Sequence, residues 1–452
     1  MTPLLAVALL LQQAPAAAPP VSADTAGRPC RVVIDSIGHS YRETTTPTGE
    51  KSAHGGGGVL GHCEGTASTI SADSFAHYSA LGRLDLVGRV KIRDTGLALD
   101  ANYASYFLRD ERLEAHNHVV AVNRRTGSVL RGPNLKYWRA ATGIRDTVEM
   151  YATSRPTVEY RAEGSDSAEP YIIVGDRIRF KGDDRMWAGG KVTVDRSDFA
   201  SRSDSMLLDQ IQGFGVLVGS PSVEGKGRPG TGAKGYRLVG TRIELALEQR
   251  EVRLVKALGH GKATGADWVL TADTIHLIIA DRMLRQTFAW GDSTRPNAVS
   301  ALNTIQADSL AIDSPGEVLT ETRAFGRALS TAKRDSTSPP ADIDWITGDT
   351  LTARFAQEQD STGHEQSRLR QVLARGSARA LTHNYNTRDS TAGPAINYSR
   401  GTQIAVAMKR DRIERVVVAG KADGVNLEPR PAVAADSTRR ATPVVPPPPP
   451  IP

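Results

Sequence analysis

The sequence predicts an all-β fold built from repeated units. Three observations point there: a short motif pair recurs along most of the chain, the apolar residues between motifs alternate with period two, and no segment carries a sustained helical stripe with caps. The motif opens with an apolar–polar–small–Asp step, as in Ile70-Ser71-Ala72-Asp73, Leu99-Asp100-Ala101-Asn102, Leu238-Val239-Gly240-Thr241, Leu270-Thr271-Ala272-Asp273, Ile305-Gln306-Ala307-Asp308 and Ile346-Thr347-Gly348-Asp349. It closes with a glycine and a small or β-branched residue two places on, as in Gly88-Arg89-Val90, Gly261-Lys262-Ala263, Gly326-Arg327-Ala328, Gly376-Ser377-Ala378 and Gly420-Lys421-Ala422. Spacing is regular: the step from Ala72 to Gly88 matches that from Ala101 to Asn117, and a second common spacing joins Gly240 to Gly259, Ala272 to Gly291, Ala307 to Gly326 and Gly401 to Gly420. The unit from Gly348 to Gly376 is longer, and its extra residues, Gln357 to Gln366, are polar, which predicts an insertion in a hairpin loop.

Between the motifs the strands are short and punctuated. Val90-Lys91-Ile92-Arg93 alternates cleanly, and Arg93-Asp94-Thr95-Gly96 and Asn123-Arg124-Arg125-Thr126-Gly127 have turn chemistry. Residues 236–258 come nearest to a helix, but Val, Ile and the bracketing Gly240 and Gly259 predict two strands around Gln249-Arg250. Breaks are expected at 164–170, 225–235 and 334–340 and after Pro429. These divide the chain into a leader at 1–18, a first β segment at 24–163, a second at 171–428 and a Pro-rich tail at 429–452. Consecutive prolines at 446–450 cannot join a ladder, because proline has no N–H to donate, so the tail is expected to be an extended spacer or a disordered end.

Composition narrows the function. Counting the 42 Gly with the 39% hydrophobic residues and leaving out the 11 Tyr brings the chain into the ~45–50% apolar range of globular proteins, so most of it should fold. The 56 basic and 50 acidic residues are interspersed and leave a net charge of +6, with no basic block for nucleic acid. A mild positive balance suits a phosphate-bearing lipid and equally an ordinary solvated surface. The apolar run Leu4 to Leu11, followed by Ala14, Ala16, Ala17 and Ala18, has the form of an export signal, although no Lys or Arg precedes it. No later stretch reaches the ~18 apolar residues of a membrane helix, and no amphipathic strand ends the chain as in an outer-membrane barrel.

Cys30 and Cys63 are the only cysteines, and an exported chain can join them in one disulfide around Gly55-Gly56-Gly57-Gly58. Gly27-Arg28-Pro29 before Cys30 is no lipoprotein box. Gly61-His62-Cys63-Glu64-Gly65 has the outline of a nucleophile elbow, but that elbow needs a strand-to-helix turn in an α/β sheet. His116 and His118 lack a third metal ligand at a recognisable spacing and read as residues near a turn. Asp73, Asp273, Asp308 and Asp349 recur once per unit instead of pairing, which suits strand-end hydrogen bonding better than acid–base work. The glycine-rich stretch Glu224 to Gly235 lacks phosphate-loop spacing and reads as a linker. The expectation is no catalytic residue, no metal and no cofactor.

From Gly88 to Trp138 the pattern becomes specific. Gly88-Arg89-Val90 leads to Leu97-Ala98-Leu99-Asp100-Ala101 with Tyr103 and Tyr106, then to Leu113-Glu114-Ala115 with His116-Asn117-His118-Val119, and to Leu130-Arg131-Gly132 with Leu135 and Tyr137. This resembles the OstA-like domain of the LptA-type lipopolysaccharide-transport family, closely over 66–140 and more loosely over 171–425. Gly-Arg-Val stands where that family commonly has Gly-Asn-Val, so the match lies in small and apolar positions. The resemblance implies a V-shaped, partly open β-jellyroll in repeated units, elongated by edge-to-edge stacking, with an apolar groove for acyl chains. Val90, Ile92, Leu97, Leu99, Leu113, Val120, Val122 and Leu130 are the expected lining if alternate residues face inward; otherwise they fill a closed sandwich core.

The resulting expectation is a periplasmic lipid-binding or lipid-transport protein, associated with the outer membrane in the further reading. Its partners would be lipopolysaccharide or a related envelope lipid, further copies of itself and other transport components, with no nucleic acid. Two alternatives stand beside it: a parallel β-helix enzyme acting on polysaccharide, and a purely structural envelope assembly protein.

Overall fold

The computed structural model describes residues 30–428, apart from 65, 162–168, 228–234, 249–250, 266–267, 301, 334–342, 360–364, 386–392 and 410–411. The expected leader at 1–18 and tail at 429–452 lie outside the described residues, as do most of the 164–170 and 334–340 breaks and the centre of the 225–235 stretch. Among the described residues the secondary structure is β-strand apart from one 3-10 turn, Pro315–Glu317, with turns and loops joining the strands, and the described strand pairings are antiparallel. That overturns the parallel β-helix alternative, whose rungs would pair in parallel.

Two compact units divide between Gly219 and Ser220, each with fifteen described strands. The expected division at 164–170 lies instead within a hairpin, since Thr157–Tyr160 pairs with Tyr171–Val174 across it.

The recurring motif marks a β-bulge. In Arg83–Arg93, Gly88 and Arg89 both sit in the left-handed region, with φ of 75° and 40°, and the register slips there against both neighbouring strands. Two residues thus oppose one, which bends the strand sharply. Asp73 of the motif opening lies over Gly88, where a Cβ would collide with its carboxylate, and Arg89 donates to Asp73 Oδ1 at 2.8 Å. Gly190, Gly326 and Gly376 repeat this beneath Asp176, Asp308 and Asp349, while Asn117 and His118 take the two left-handed positions of the next bulge after Gly88. Around Gly261-Lys262-Ala263 the left-handed pair is Gly259 and His260, two residues before the expected turn.

The bend splits each long strand between two layers. In unit 1, residues 129–131 of Val129–Trp138 pair with Thr157–Tyr160, while 134–138 pair with Glu149–Thr153. In unit 2, residues 321–325 of Glu321–Ala332 pair with Ser309–Asp313 and 329–332 with Asn303–Gln306. The outcome within each unit is an all-β, jellyroll-like pair of layers that share their long strands. In unit 1 the inner rows run straight across the ladders. One is Ile70, Ile92, Leu99, Ala121, Leu130, Val158, Ile173 and Val194; the other is Phe75, Leu86, Ala104, Ala115, Leu135, Ala152, Ile178, Ala188, Met206 and Leu217. The first row is almost wholly large aliphatic, whereas the second mixes large side chains with Ala104, Ala115, Ala152 and Ala188.

Two expected lining residues belong to the other face. Val120 stands in a row with Lys91, Asp100 and Arg131, and Val122 stands between Ala98 and Val129. Both are half-buried, whereas Val119 and Ala121 on either side of Val120 are buried. The buried positions keep the same parity on both sides of the Asn117-His118 bulge, from Leu113 and Ala115 to Val119 and Ala121, so Val120 and Val122 fall on the opposite face.

Within the polar Gln357 to Gln366 insertion, the described residues 357–359 and 365–366 are strand. Asp344–Gln359 and Glu365–Asn384 keep pairing out to Gln359 opposite Glu365, so the added length extends the hairpin. Residues 236–258 form strands as expected, as Tyr236–Val239, Arg242–Glu248 and the first part of Glu251–Thr264.

Candidate apolar site

The inner faces do not meet everywhere. In unit 2 the layers part around an apolar cavity of about 100 Å3. One wall carries Trp268, Val299 and Ile305, and the other carries Ile312, Leu319, Phe355, Leu369 and Val372. Ile312, Ala353 and Val372 occupy one inner row with the buried Thr287 and Thr322, so strand alternation alone aims them inward. Leu319 follows the 3-10 turn, and its segment is tied down: Thr320 N donates to Asp313 O at 3.0 Å, Phe355 N to Thr320 O at 2.9 Å and Ser367 Oγ to Leu319 O at 3.1 Å. The polar groups at the opposite lip pair with each other, Ser300 Oγ with Asn303 N and O at 3.2 Å. The walls are mainly apolar, with Ser300, Asn303, Ser314, Thr322 and Ser330 also bordering the space.

Of the residues expected to line a groove in unit 1, Val90 and Leu99 are fully buried and Leu113 nearly so, and Ile92 is half-buried in the same inner row as Leu99. These four fill the core. Leu97 and Leu130 do border a space, but one of only about 30 Å3, together with Val158, Met150 and Phe180. Sequence reasoning missed the unit 2 site. Alternation of Leu351, Ala353 and Phe355 and the return of Leu369 were visible signals, hidden by the polar insertion between them.

The tips of the two unit 1 layers meet at two places. At the first, Glu111, fully buried in the Phe107–Arg112 turn, accepts from Cys30 N at 2.6 Å and from Tyr106 Oη, and lies 3.5 Å from Arg139, which also reaches Asp94 at the opposite tip. Burial, and then the hydrogen bond to Glu111, push the Tyr106 hydroxyl well above its usual range. Cys30 is joined to Cys63 with Cα atoms 5.1 Å apart, so the disulfide ties this clasp to the first strands. At the second place Asp183 of one tip bonds Asn123 and Arg125 of the other.

Chemical candidates are absorbed by the fold. Cys63 is in the disulfide, and His62 Nδ1 bonds Asp35 at 2.8 Å. His116 pairs with Asn134 and His118 with Asn102, both beside bulges. The Asp273 carboxylate accepts from Ser293 N, Ser293 Oγ and Thr294 N at 2.8, 2.8 and 3.0 Å, and the Thr294 backbone bond foremost holds its pKa down at about 2. Arg327 and Arg295 likewise keep Asp308 low. Among the described residues no group of three His, Cys, Asp or Glu is placed to hold a metal ion, and no helix is long and apolar enough to cross a membrane.

Fold and site together define an all-β protein with an apolar cavity between its layers. No family model matches the chain, and no curated protein does. Among solved structures, the chain is similar to LptH of Pseudomonas aeruginosa, described as the LptA-homologous periplasmic component of the lipopolysaccharide transport device. Identity is 17%, with 33% of this chain and 97% of that chain covered and a TM-score of 0.23.

Proposed function

We propose that this chain is a periplasmic lipid-binding or lipid-transport protein that holds the acyl chains of lipopolysaccharide or a related envelope lipid between its β layers. The observation that carries the reading is the apolar space of unit 2, whose walls present Trp268, Phe355, Leu369 and Val372 without an unpaired charge among them. Burying an acyl chain there contributes ~0.8 kcal/mol per CH2 removed from water. In this reading the protein catalyses nothing: the motif aspartates, which a hydrolytic enzyme would bring together, are spread one per bulge. Further copies or other transport components would be its partners through the strands at the sheet edges.

Extraction of the purified protein followed by mass spectrometry identifies any lipid carried from the cell. A photoreactive lipid A analogue should label peptides containing Phe355 or Leu369, and Phe355→Asp should reduce that labelling several-fold. Full labelling of a folded F355D protein would sink the reading. The structural alternative draws on the packed core at Val90 and Leu99, and it predicts no lipid in the extract and no saturable labelling.

A further inference from the structure

An open cleft of about 490 Å3, within the ~300–1,000 Å3 range of small-molecule sites, lies on the outer face of unit 1. One row of side chains runs straight across four strands along it: Ser36 of Val32–Ile37, Leu60 of Lys51–Cys63, Ser71 of Thr69–Tyr78 and Lys91 of Arg83–Arg93. The same row continues through Asp100, Val120 and Arg131, so it faces outward, and Leu60 is 55% exposed in it. Asp73 and Arg89, the ion pair of the Gly88 bulge, close one side. The cleft is open because the first bulge of the chain departs from the pattern. Its two left-handed residues are Gly57 and Gly58, whereas the second left-handed residue of the next four bulges is Arg89, His118, Arg155 and Lys191. No side chain covers the cleft from Gly58, where an added Cβ would meet nothing within 4 Å.

Hydrogen-bond donors gather at one end. Ser71 and Lys91 stand directly opposite each other, which places their Cβ atoms about 5 Å apart. Arg89 Nε and Nη2 both donate to Asp73 Oδ1, at 2.8 and 2.6 Å, and Nη1 is left to serve a further acceptor. Among the described residues, no side chain or backbone group pairs with the Lys91 ammonium or with the Ser36 and Ser71 hydroxyls. Two cations against one carboxylate leave this end positive, and donors on Lys91, Ser71 and Arg89 match the three terminal oxygens of a phosphate better than the two of a carboxylate. Leu60 and Ser36 lie one and two strands beyond Ser71, ~5 and ~10 Å away, and offer an aliphatic side and a hydroxyl to whatever the phosphate is attached to.

We propose that this cleft binds a phosphate monoester of a sugar or other polyol, the phosphate resting on Lys91, Ser71 and Arg89 and the polyol lying across Leu60 toward Ser36. The site stands apart from the unit 2 cavity and does not depend on lipid being held there. A free sugar phosphate and a phosphorylated lipid headgroup carry the same chemistry to it.

The test is calorimetric titration of the full-length protein with glucose-6-phosphate, glucose, inorganic phosphate and vesicles of phosphatidylcholine with and without phosphatidic acid. Glucose-6-phosphate should bind at a single site and glucose should not. Lys91→Gln should weaken that binding about tenfold, the usual worth of one hydrogen bond to a charged group. Ser36→Trp, which fills the far end without changing charge, should abolish binding of glucose-6-phosphate and keep that of inorganic phosphate. Lys421→Gln, at a bulge of unit 2, should change nothing. Binding of phosphatidic acid vesicles alone, lost in K91Q, would uphold the phosphate site and assign its source to a lipid headgroup. Equal binding of glucose and glucose-6-phosphate would overturn the phosphate, and wild-type affinity in K91Q would overturn the cleft. No binding of any phosphate probe would overturn the whole proposal. K91Q, a change at an exposed side chain, decides the matter if S36W fails to fold.

Discussion

At the scale of single residues, facing decides consequence. Leu99 is fully buried in an inner row, whereas Val120, between the buried Val119 and Ala121, stands between Asp100 and Arg131 on the outer face. Leu99→Asp should therefore lower unit 1 stability by several kcal/mol, since a buried unpaired charge has no compensating partner. Val120→Asp should change it by no more than ~0.5 kcal/mol, as surface substitutions generally do. Chemical denaturation followed in unit 1 separates the two, and equal losses would mean that the row assignment is mistaken. Asp273 offers a test by pH. Its folded pKa of about 2 lies below the ~3.9 of an unfolded aspartate, so its stabilisation is complete above ~3.9 and is lost as pH falls toward about 2. Carboxyl carbon shifts should show Asp273 titrating near 2, and Asp273→Asn should flatten that part of the acid limb.

The element that organises the molecule is the bent strand. Its bulge needs two successive left-handed residues, and its first position lies directly beneath the preceding strand's aspartate, where only glycine has room at Gly88 and Gly326. Gly88→Ala should destabilise unit 1 by about 1–3 kcal/mol through the strained backbone alone, with a further loss from displacing Asp73. Gly96, whose added Cβ would meet nothing within 4 Å, is the control and should tolerate alanine. Thermal melts of the two variants compare them directly, and equal tolerance would mean that the bulge does not depend on its glycine. The spacing of aspartate and glycine was legible in the sequence because both partners are drawn from adjacent strands of one hairpin. What was not legible is that the inward alternation of Leu113 and Ala115 runs unshifted through the bulge to Val119 and Ala121, which leaves Val120 and Val122 on the outer face.

Across the whole molecule, the chain divides into two compact units. The Cys30–Cys63 bond closes a 33-residue separation within unit 1, worth roughly 3–4 kcal/mol by loop entropy. Replacing both cysteines with serine should lower the unit 1 transition and leave that of unit 2 in place, which differential scanning calorimetry resolves; a matching fall in both would contradict independent cores. The sequence by itself determined the all-β class, the repeat, the strand turns and the inward placing of Val90, Leu97, Leu99, Leu113 and Leu130, because alternation and turn chemistry act over a few residues. Only the tertiary structure decided where the layers touch and where they part. Whether an inward residue fills a core, as Leu99 does, or walls a cavity, as Phe355 and Leu369 do, depends on the opposite layer, whose strands lie far away in the chain and whose distance no local pattern encodes.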